Sequence, residues 1–455
     1  MSELKIIARH AGTVLVGQLA VMTFGVADTV IAGRYNDTAL AALSVGSAIY
    51  ISVYVGLIGI VQALLPIWAE MLGAGKQHFM GRSLRQSLYL TGLITLVGMA
   101  ALLFPGALLR WAQVPQAMLN DVERYLTVLA FAFAPSILFR LYGTFNQALG
   151  KPLLVTWLQV GALLVKVPLS IWWVAGGAGI EPMGVAGCAW ATLVVNYLLL
   201  ALGLVMLRTQ SFYKPYRIWQ RLEQPDWPAI TRFARLGLPA GLAYLVEVTS
   251  FTLMAVFIAR LGVAASASHQ IAASMGAVLY MMPLSLAIAC SARVSFWLGA
   301  RRPVDAKRVV FLGIKLAALI SIALAAMLLI ARHLIASFYS NSPIIVSAAA
   351  SLLVWVAVYH LADSIQAVCA FLLRCYGVTL TPLIIYSILL WGFGLYGGYQ
   401  LAYGGLPGVA AMASPHGFWL ASSLALALVA VCFLLLLRHV MRQEQRADSA
   451  ALQAA

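Results

Sequence analysis

The sequence contains few charged residues. Only 9% of its 455 residues are charged, whereas 63% are hydrophobic. An ordinary soluble domain has about 25% charged and about 45–50% apolar residues. A soluble chain of this length would divide into domains that each need a polar surface, and the sequence has too few polar residues to cover them. The composition therefore indicates an integral membrane protein and excludes a soluble one.

The motifs of ATP-driven and hydrolytic proteins are also absent. The fragment nearest to a phosphate-binding loop, residues 73–76, has Glu70 where the first glycine of G-x-x-x-x-G-K-[ST] belongs. The sequence contains no H-E-x-x-H or G-x-S-x-G motif. Its five cysteines lack the spacing of metal ligands. We therefore expect no nucleotide as partner, no cofactor and no enzymatic activity.

Long apolar runs account for most of the chain. A helix that crosses a membrane needs roughly 20 apolar residues, and these runs far exceed the ~10-residue strands of an outer-membrane barrel. The sequence predicts an all-α integral membrane protein with twelve spans, near residues 8–33, 45–72, 84–110, 124–147, 154–175, 184–207, 233–261, 268–297, 308–331, 346–374, 380–402 and 415–440.

The net charge of +15 is explained by topology. If the N-terminus is cytoplasmic, twenty basic residues fall on the cytoplasmic side and five on the other. This asymmetry follows the positive-inside rule, so nucleic acid is not needed to explain the charge. It predicts a multi-pass protein of a bacterial inner membrane, surrounded by the lipid bilayer, with both termini cytoplasmic.

The two halves of the chain repeat one pattern. At a shift of 226 residues, residues 8–9 (Ala-Arg) match residues 234–235, and residues 72–74 (Leu-Gly-Ala) match residues 298–300. Six spans per repeat predict two six-helix bundles related by a pseudo-two-fold axis along the membrane normal, across a central cavity. The predicted domains are an N-terminal bundle (1–207), a cytoplasmic linker (208–232) with a short amphipathic helix, a C-terminal bundle (233–440) and a cytoplasmic tail (441–455).

Three acidic residues lie inside predicted spans: Asp28 in the first, Glu247 in the seventh and Asp363 in the tenth. Placing an acidic residue at a helix centre costs about 2.5–3.5 kcal/mol. A carboxylate held there by an arginine or by backbone donors would be structural. The functional interpretation is a carboxylate that binds H⁺ or Na⁺ as its access to water changes.

Lys166 lies in the middle of the fifth span and needs a partner there. Counted from the outer membrane edge, it is about four residues deeper than Asp28, or roughly 6 Å along the membrane normal. We therefore predict an Asp28–Lys166 ion pair, with an unpaired lysine facing water as the alternative. The other basic residues within spans lie near span ends, where their side chains can reach the headgroups: Arg140, Arg293 and Lys315.

Several segments resemble the MATE (multidrug and toxic compound extrusion) family, and within it the NorM-like branch. The resemblance extends over nearly the whole chain and rests on the order and spacing of short motifs. These motifs are residues 25–33 (GVADTVIAG), 72–76 (LGAGK), 184–192 (GVAGCAWAT), 269–272 (HQIA), 280–283 (YMMP), 363–366 (DSIQ) and 373–377 (LRCYG), together with Glu247.

The resemblance implies export of lipophilic, mostly cationic drugs or dyes in exchange for Na⁺ or H⁺, by a chain that we expect to be monomeric. It implies that Glu247 and Asp363 form the cation site, with Na⁺ as one possible ion. It assigns a second acidic position to Asp28. Residues expected to line the substrate cavity are Gln270, Tyr280, Lys166, Thr29 and Ser170.

One departure from the family pattern concerns the fifth span. The NorM-like pattern has asparagines where this chain has Lys166 and Ser170. A lysine brings its own positive charge, which argues against a Na⁺ site of the usual kind beside Asp28.

Two other functions compete with drug export. A flippase for a lipid-linked precursor, from the same broad superfamily, would have extra spans and a cavity rich in arginine and lysine. A non-transporting scaffold or receptor would have no use for three buried carboxylates.

Overall fold

A computed structural model of the chain describes residues 2–106, 109, 116–177, 179, 181–405 and 410–454. It is helical, and no β-strand occurs in these ranges. Twelve of its helices are long and apolar enough to cross a membrane: α1 (Glu3–Tyr35), α2 (Thr38–Gly73), α3 (Gln77–Leu103), α4 (Met118–Ala148), α5 (Leu153–Ala175), α6 (Val185–Thr209), α7 (Trp227–Ala259), α8 (Val263–Gly299), α9 (Pro303–Tyr339), α10 (Pro343–Cys375), α11 (Leu380–Gly404) and α12 (Pro415–Arg446).

The prediction of an all-α membrane protein with twelve spans is confirmed. The predicted end of the third span, at residue 110, lies outside the described residues. Two helices contain interruptions. In α2 the segments Asp37–Gln62 and Leu65–Gly73 are separated at residues 63–64, next to Pro66, which has no N–H to continue the hydrogen-bond ladder. In α11, a π-helical stretch, Ser387–Tyr396, follows the α-helical turns Leu380–Tyr386.

The chain divides into two compact units, residues 13–241 and residues 1–12 with 242–455. The first unit contains α2–α6, and the second contains α8–α12. In the first unit the rings of Trp68 and Phe145 pack edge to face, with their centroids 5.3 Å apart. In the second unit the rings of Phe251, Tyr359 and Trp419 pack against one another, with centroids 5.5–6.3 Å apart. Aromatic packing of this kind adds specific geometry to the apolar core.

The predicted amphipathic helix in the linker is wrong. Between Thr209 and Trp227 the structure has a six-residue 3-10 helix, Ser211–Tyr216, followed by irregular chain. Tyr213 and Tyr216, on this short helix, are buried in the protein. The physical reason is close backbone packing. A Cβ atom at Gly81 of α3 would collide with the carbonyl oxygen of Tyr216, so glycine allows the linker to lie directly on α3.

Arg85 of α3 holds this linker in place. Its buried guanidinium donates hydrogen bonds to the backbone carbonyls of Arg217 (2.8 Å) and Ile218 (3.0 Å) and forms an ion pair with Glu223. The hydroxyl of Tyr89 donates to the carbonyl of Glu223 at 2.6 Å. The linker is therefore part of the first unit and not a free tether.

The Arg85–Glu223 pair predicts a pH dependence of stability. Hydrogen bonds from Arg85 hold the pKa of Glu223 below its ordinary range. A lowered pKa in the folded state stabilises the fold above the ordinary glutamate pKa of about 4.3, and this contribution is lost as the pH falls through the lowered value. Glu223→Gln should therefore lower the melting temperature at pH 7, and the difference from wild type should shrink in acid. Glu123→Gln, at an exposed position of α4, serves as control. A pH-independent difference would contradict the role of this pair.

Candidate functional site

A buried ion pair lies in the unit formed by residues 13–241. The Lys166 ammonium on α5 donates to both carboxylate oxygens of Asp28 on α1, Oδ1 at 2.9 Å and Oδ2 at 2.8 Å. It donates a third hydrogen bond to Thr192 Oγ1 on α6, at 2.9 Å. Lys166 is 1% exposed and Asp28 is 7% exposed. The three donor positions of the ammonium are thus all used inside the protein.

Neighbouring side chains complete this environment. The Ser170 hydroxyl, one turn after Lys166, donates to Asp28 Oδ1 at 3.1 Å. The Phe24 ring lies 5.9 Å from Lys166 Nζ, within cation–π range. The predicted Asp28–Lys166 pair is therefore present, and Ser170 belongs to it. Thr29 does not, because its side chain is exposed and its hydroxyl donates to the Gly25 carbonyl.

A chain of two hydrogen bonds ends at Asp363, in the unit formed by residues 1–12 and 242–455. Gln366, one turn further along α10, donates from Nε2 to Asp363 Oδ1 at 2.9 Å. The Tyr386 hydroxyl on α11 donates to Gln366 Oε1. All three side chains are buried. Tyr386 is the last residue before the π-helical stretch of α11, so this polar contact lies where the backbone geometry changes, as is frequent at functional sites.

Glu247 on α7 lies beside this chain of hydrogen bonds. It is within hydrogen-bonding reach of Gln366 and within electrostatic reach of Asp363 and Arg374. Arg374 lies at the end of α10. Its Cζ atom is 4.3 Å from the centroid of the Phe371 ring and 5.1 Å from that of the Tyr244 ring. Its Nη1 atom is buried and has no hydrogen-bond partner within the described ranges. The two predicted carboxylates therefore share one neighbourhood with a buried guanidinium.

The two other predicted cavity residues, Tyr280 and Gln270, lie in different environments. Tyr280 on α8 is within electrostatic reach of Glu247 and Asp363. Gln270, on the same helix, is exposed. No group of three His, Cys, Asp or Glu side chains that could hold a metal ion occurs in the part of the chain that the structure describes.

Sequence reasoning missed three contributors: Thr192, Arg374 and Tyr386. Thr192 and Arg374 lie inside two of the motifs that resemble the MATE family, but those motifs do not show which groups the two side chains contact. The signal for Tyr386 was weak, because one tyrosine in an apolar span is unremarkable in a chain with 18 tyrosines.

Comparison with known proteins agrees with this architecture. A family model described as MatE matches residues 14–172 and 239–400, one segment in each half of the chain. The chain belongs to the MatE family. This is a family of membrane transporters and not of enzymes, so the chain is a multi-pass transporter protein.

Curated members of the MatE family align over nearly the full length. The chain is 36% identical to "Probable multidrug resistance protein NorM" of Aromatoleum aromaticum, over 97% of this chain and 95% of that protein. It is 31% identical to "Multidrug resistance protein PmpM" of Pseudomonas aeruginosa, over 98% of this chain and 94% of that protein. These similarities confirm the NorM-like resemblance.

Solved structures of MatE transporters share the fold. The eukaryotic MATE transporter AtDTX14 superposes with a TM-score of 0.86 at 18% identity, over 98% of both chains. The Vibrio cholerae MATE transporter VcmN in its bent form gives a TM-score of 0.82 at 18% identity, over 97% of this chain and 98% of that one. At this level of identity the likeness concerns the fold alone.

The Asp28–Lys166 geometry predicts strong energetic coupling between these two residues. Asp28→Asn and Lys166→Leu should each destabilise the protein by about 3–5 kcal/mol, because each leaves one buried charge without its partner. The double variant should lose much less than the sum, and thermal unfolding of all four proteins measures the difference. The exposed pair Arg232–Glu70, at 3.7 Å, is the control, with an expected coupling of about 0–1 kcal/mol. Additive effects of the two buried substitutions would show that the pair contributes nothing.

The hydrogen bond from Tyr386 predicts a smaller effect. Tyr386→Phe leaves Gln366 Oε1 buried without a donor, a loss of about 1–3 kcal/mol, which should lower the melting temperature of the purified protein. Tyr339→Phe, at an exposed position in the same unit, should have little effect. If both variants melt like the wild type, the Tyr386 hydroxyl does not hold the amide in place.

Proposed function

We propose that this protein is a secondary active antiporter that exports lipophilic, mostly cationic drugs or dyes in exchange for H⁺ or Na⁺. It would work as a monomer in a bacterial inner membrane, with both termini in the cytoplasm. Support comes from membership in the MatE family and from relatives named multidrug resistance proteins. The asymmetry of basic residues supports the orientation.

The observation that carries the proposal is the charge balance around Glu247 and Asp363. When both carboxylates are ionised, their two negative charges face one positive charge, that of Arg374. The cluster then lacks one positive charge in surroundings where an uncompensated charge is costly. One H⁺, one Na⁺ or one monovalent drug cation would restore neutrality. Because each would do so at the same carboxylates, drug and coupling ion compete, which is the requirement for exchange.

The pair in the other unit lacks this deficit. Asp28 is neutralised by Lys166, whose two hydrogen bonds to Asp28 leave no oxygen of that carboxylate unpaired. A lysine ammonium thus takes the place that a Na⁺ or H⁺ would take beside Asp28. We therefore assign coupling mainly to Glu247 and Asp363, with a cationic drug displacing the lysine when it binds near Asp28.

The chemistry of the C-terminal cluster suits either coupling ion. Sodium prefers oxygen ligands, which the two carboxylates and the nearby amide and hydroxyl groups of Gln366 and Tyr386 supply. A proton needs only a carboxylate whose ionised form is disfavoured by burial and by a second carboxylate nearby.

Transport in proteoliposomes tests the proposal. Protein reconstituted with a fluorescent cationic dye should drive dye movement when a pH gradient or a Na⁺ gradient is imposed, each tested separately. Glu247→Gln and Asp363→Asn should each abolish gradient-driven transport, because an amide keeps the size of the carboxylate but cannot exchange a charge. Insertion and melting should stay close to wild type. Asp305→Asn, at the start of α9, is the control and should transport normally.

Two results would contradict this function. Gradient-driven dye transport at the wild-type rate by either carboxylate variant would remove that residue from coupling. Failure of both gradients to drive wild-type transport of any cationic dye would exclude antiport of cations. It would then favour the flippase, which can be tested with a labelled lipid-linked substrate in the same vesicles.

A further inference from the structure

A pocket in the unit formed by residues 13–241 lies apart from the Asp28–Lys166 pair. Side chains of α1, α4 and α5 line it, and its polar lining consists of Gln18, Arg140, Gln147, Thr156 and Gln159. None of the described residues that line it is an aspartate or a glutamate. A positive charge thus faces a pocket that contains donors and neutral acceptors but no counter-ion.

Arg140 is only partly satisfied by the protein. Its Nη2 donates to Gln62 Oε1 at 3.1 Å, while its Nε is buried and finds no acceptor in the described part of the chain. It also forms no ion pair with any described carboxylate. We expected from the sequence that this side chain would reach the headgroups, but the structure turns it inward to Gln62. A guanidinium stays charged at physiological pH and offers donors in a planar fork.

Two amides beside Arg140 also have unused hydrogen-bonding atoms. Gln147, which is 5% exposed, has a buried Oε1 with no donor among the described residues, and the buried Nε2 of Gln62 likewise lacks an acceptor there. Buried polar atoms in native structures nearly always have partners. Two of the unsatisfied atoms, Arg140 Nε and Gln147 Oε1, belong to residues that line the pocket, and a molecule bound there would supply their missing partners.

The geometry points to a phosphate group as that molecule, and we propose that this pocket binds phosphate, on an anionic lipid headgroup or as the free ion. Arginine forks match phosphate oxygens, and such charge-assisted bonds are about twice as strong as neutral ones. The first turn of α5, which begins after Pro152, borders the pocket and supplies backbone N–H groups that have no partner within the helix. A hydroxyl of the ligand, on hydrogen phosphate or on the glycerol headgroup of phosphatidylglycerol, can donate to Gln147 Oε1.

Exposed apolar side chains beside the pocket fit the lipid source. Leu153 and Trp157, on the first two turns of α5, are 46% and 66% exposed. In a membrane they would face acyl chains, so a lipid could place its headgroup in the pocket and its tails along α5. This site is independent of the proposed transport function.

Binding to the full-length protein in detergent tests the site. The probes are short-chain phosphatidylglycerol, inorganic phosphate, and the matching diacylglycerol, which has the same tails and no phosphate. We expect phosphatidylglycerol, phosphate or both to raise the melting temperature of the wild type, and diacylglycerol to have no effect. Arg140→Gln should bind about tenfold more weakly, because it loses the charge. Arg124→Gln, at an exposed position near the other end of α4, should bind like wild type.

A second variant keeps the test decisive if Arg140→Gln does not fold. Gln62→Glu places a carboxylate at the atom that already accepts from Arg140, and so provides the missing counter-ion without changing the size. It should raise the melting temperature without ligand and abolish the response to phosphate probes. A response to phosphatidylglycerol alone identifies a lipid site, and a response to inorganic phosphate identifies a free-anion site. No response in the wild type, or equal responses in wild type, Arg140→Gln and Gln62→Glu, would overturn the proposal.

Discussion

A charge inside an apolar helix must find its partner within the protein, and this constraint governs the structure. The bilayer interior offers no water to solvate it, so each ionised side chain either is neutralised or remains a binding site. Lys166 shows the first outcome, since its ammonium joins α1, α5 and α6 through Asp28 and Thr192. The packing of these three helices and the state of Asp28 therefore depend on one buried cation.

The two halves of the repeat differ in how their buried carboxylates are neutralised. In the unit of residues 13–241, the acidic residue is matched by a lysine and the local charge is balanced. In the other unit, two carboxylates lie near one arginine, so a charge is missing when both are ionised. One half of the repeat thus contains a carboxylate that is already neutralised, and the other contains two carboxylates that lack one positive charge. That asymmetry supports the proposal that Glu247 and Asp363 bind the coupling ion.

The same constraint explains why the linker differs from expectation. Its aromatic and basic residues favoured an amphipathic helix at the membrane surface. Arg85, buried in α3, instead draws the linker carbonyls and Glu223 onto itself, and Gly81 leaves the space that this approach needs. The composition of the linker is compatible with a membrane surface. Its position is fixed instead by hydrogen bonds and an ion pair with the buried guanidinium of Arg85.

The sequence by itself determined the number of spans, the family and the Asp28–Lys166 pair. The spans follow from hydrophobic length, the family from the order and spacing of short motifs, and the ion pair from the penalty for an unpaired charge within a span. The tertiary structure alone decided that Gln270 and Thr29 are exposed, that Tyr386 reaches Gln366, and that Arg374 lies within electrostatic reach of Glu247. The physical reason is that lipid and protein core are equally apolar. A membrane helix that is hydrophobic on all sides does not encode its own rotation, so the direction of each polar side chain is fixed only when the helices pack.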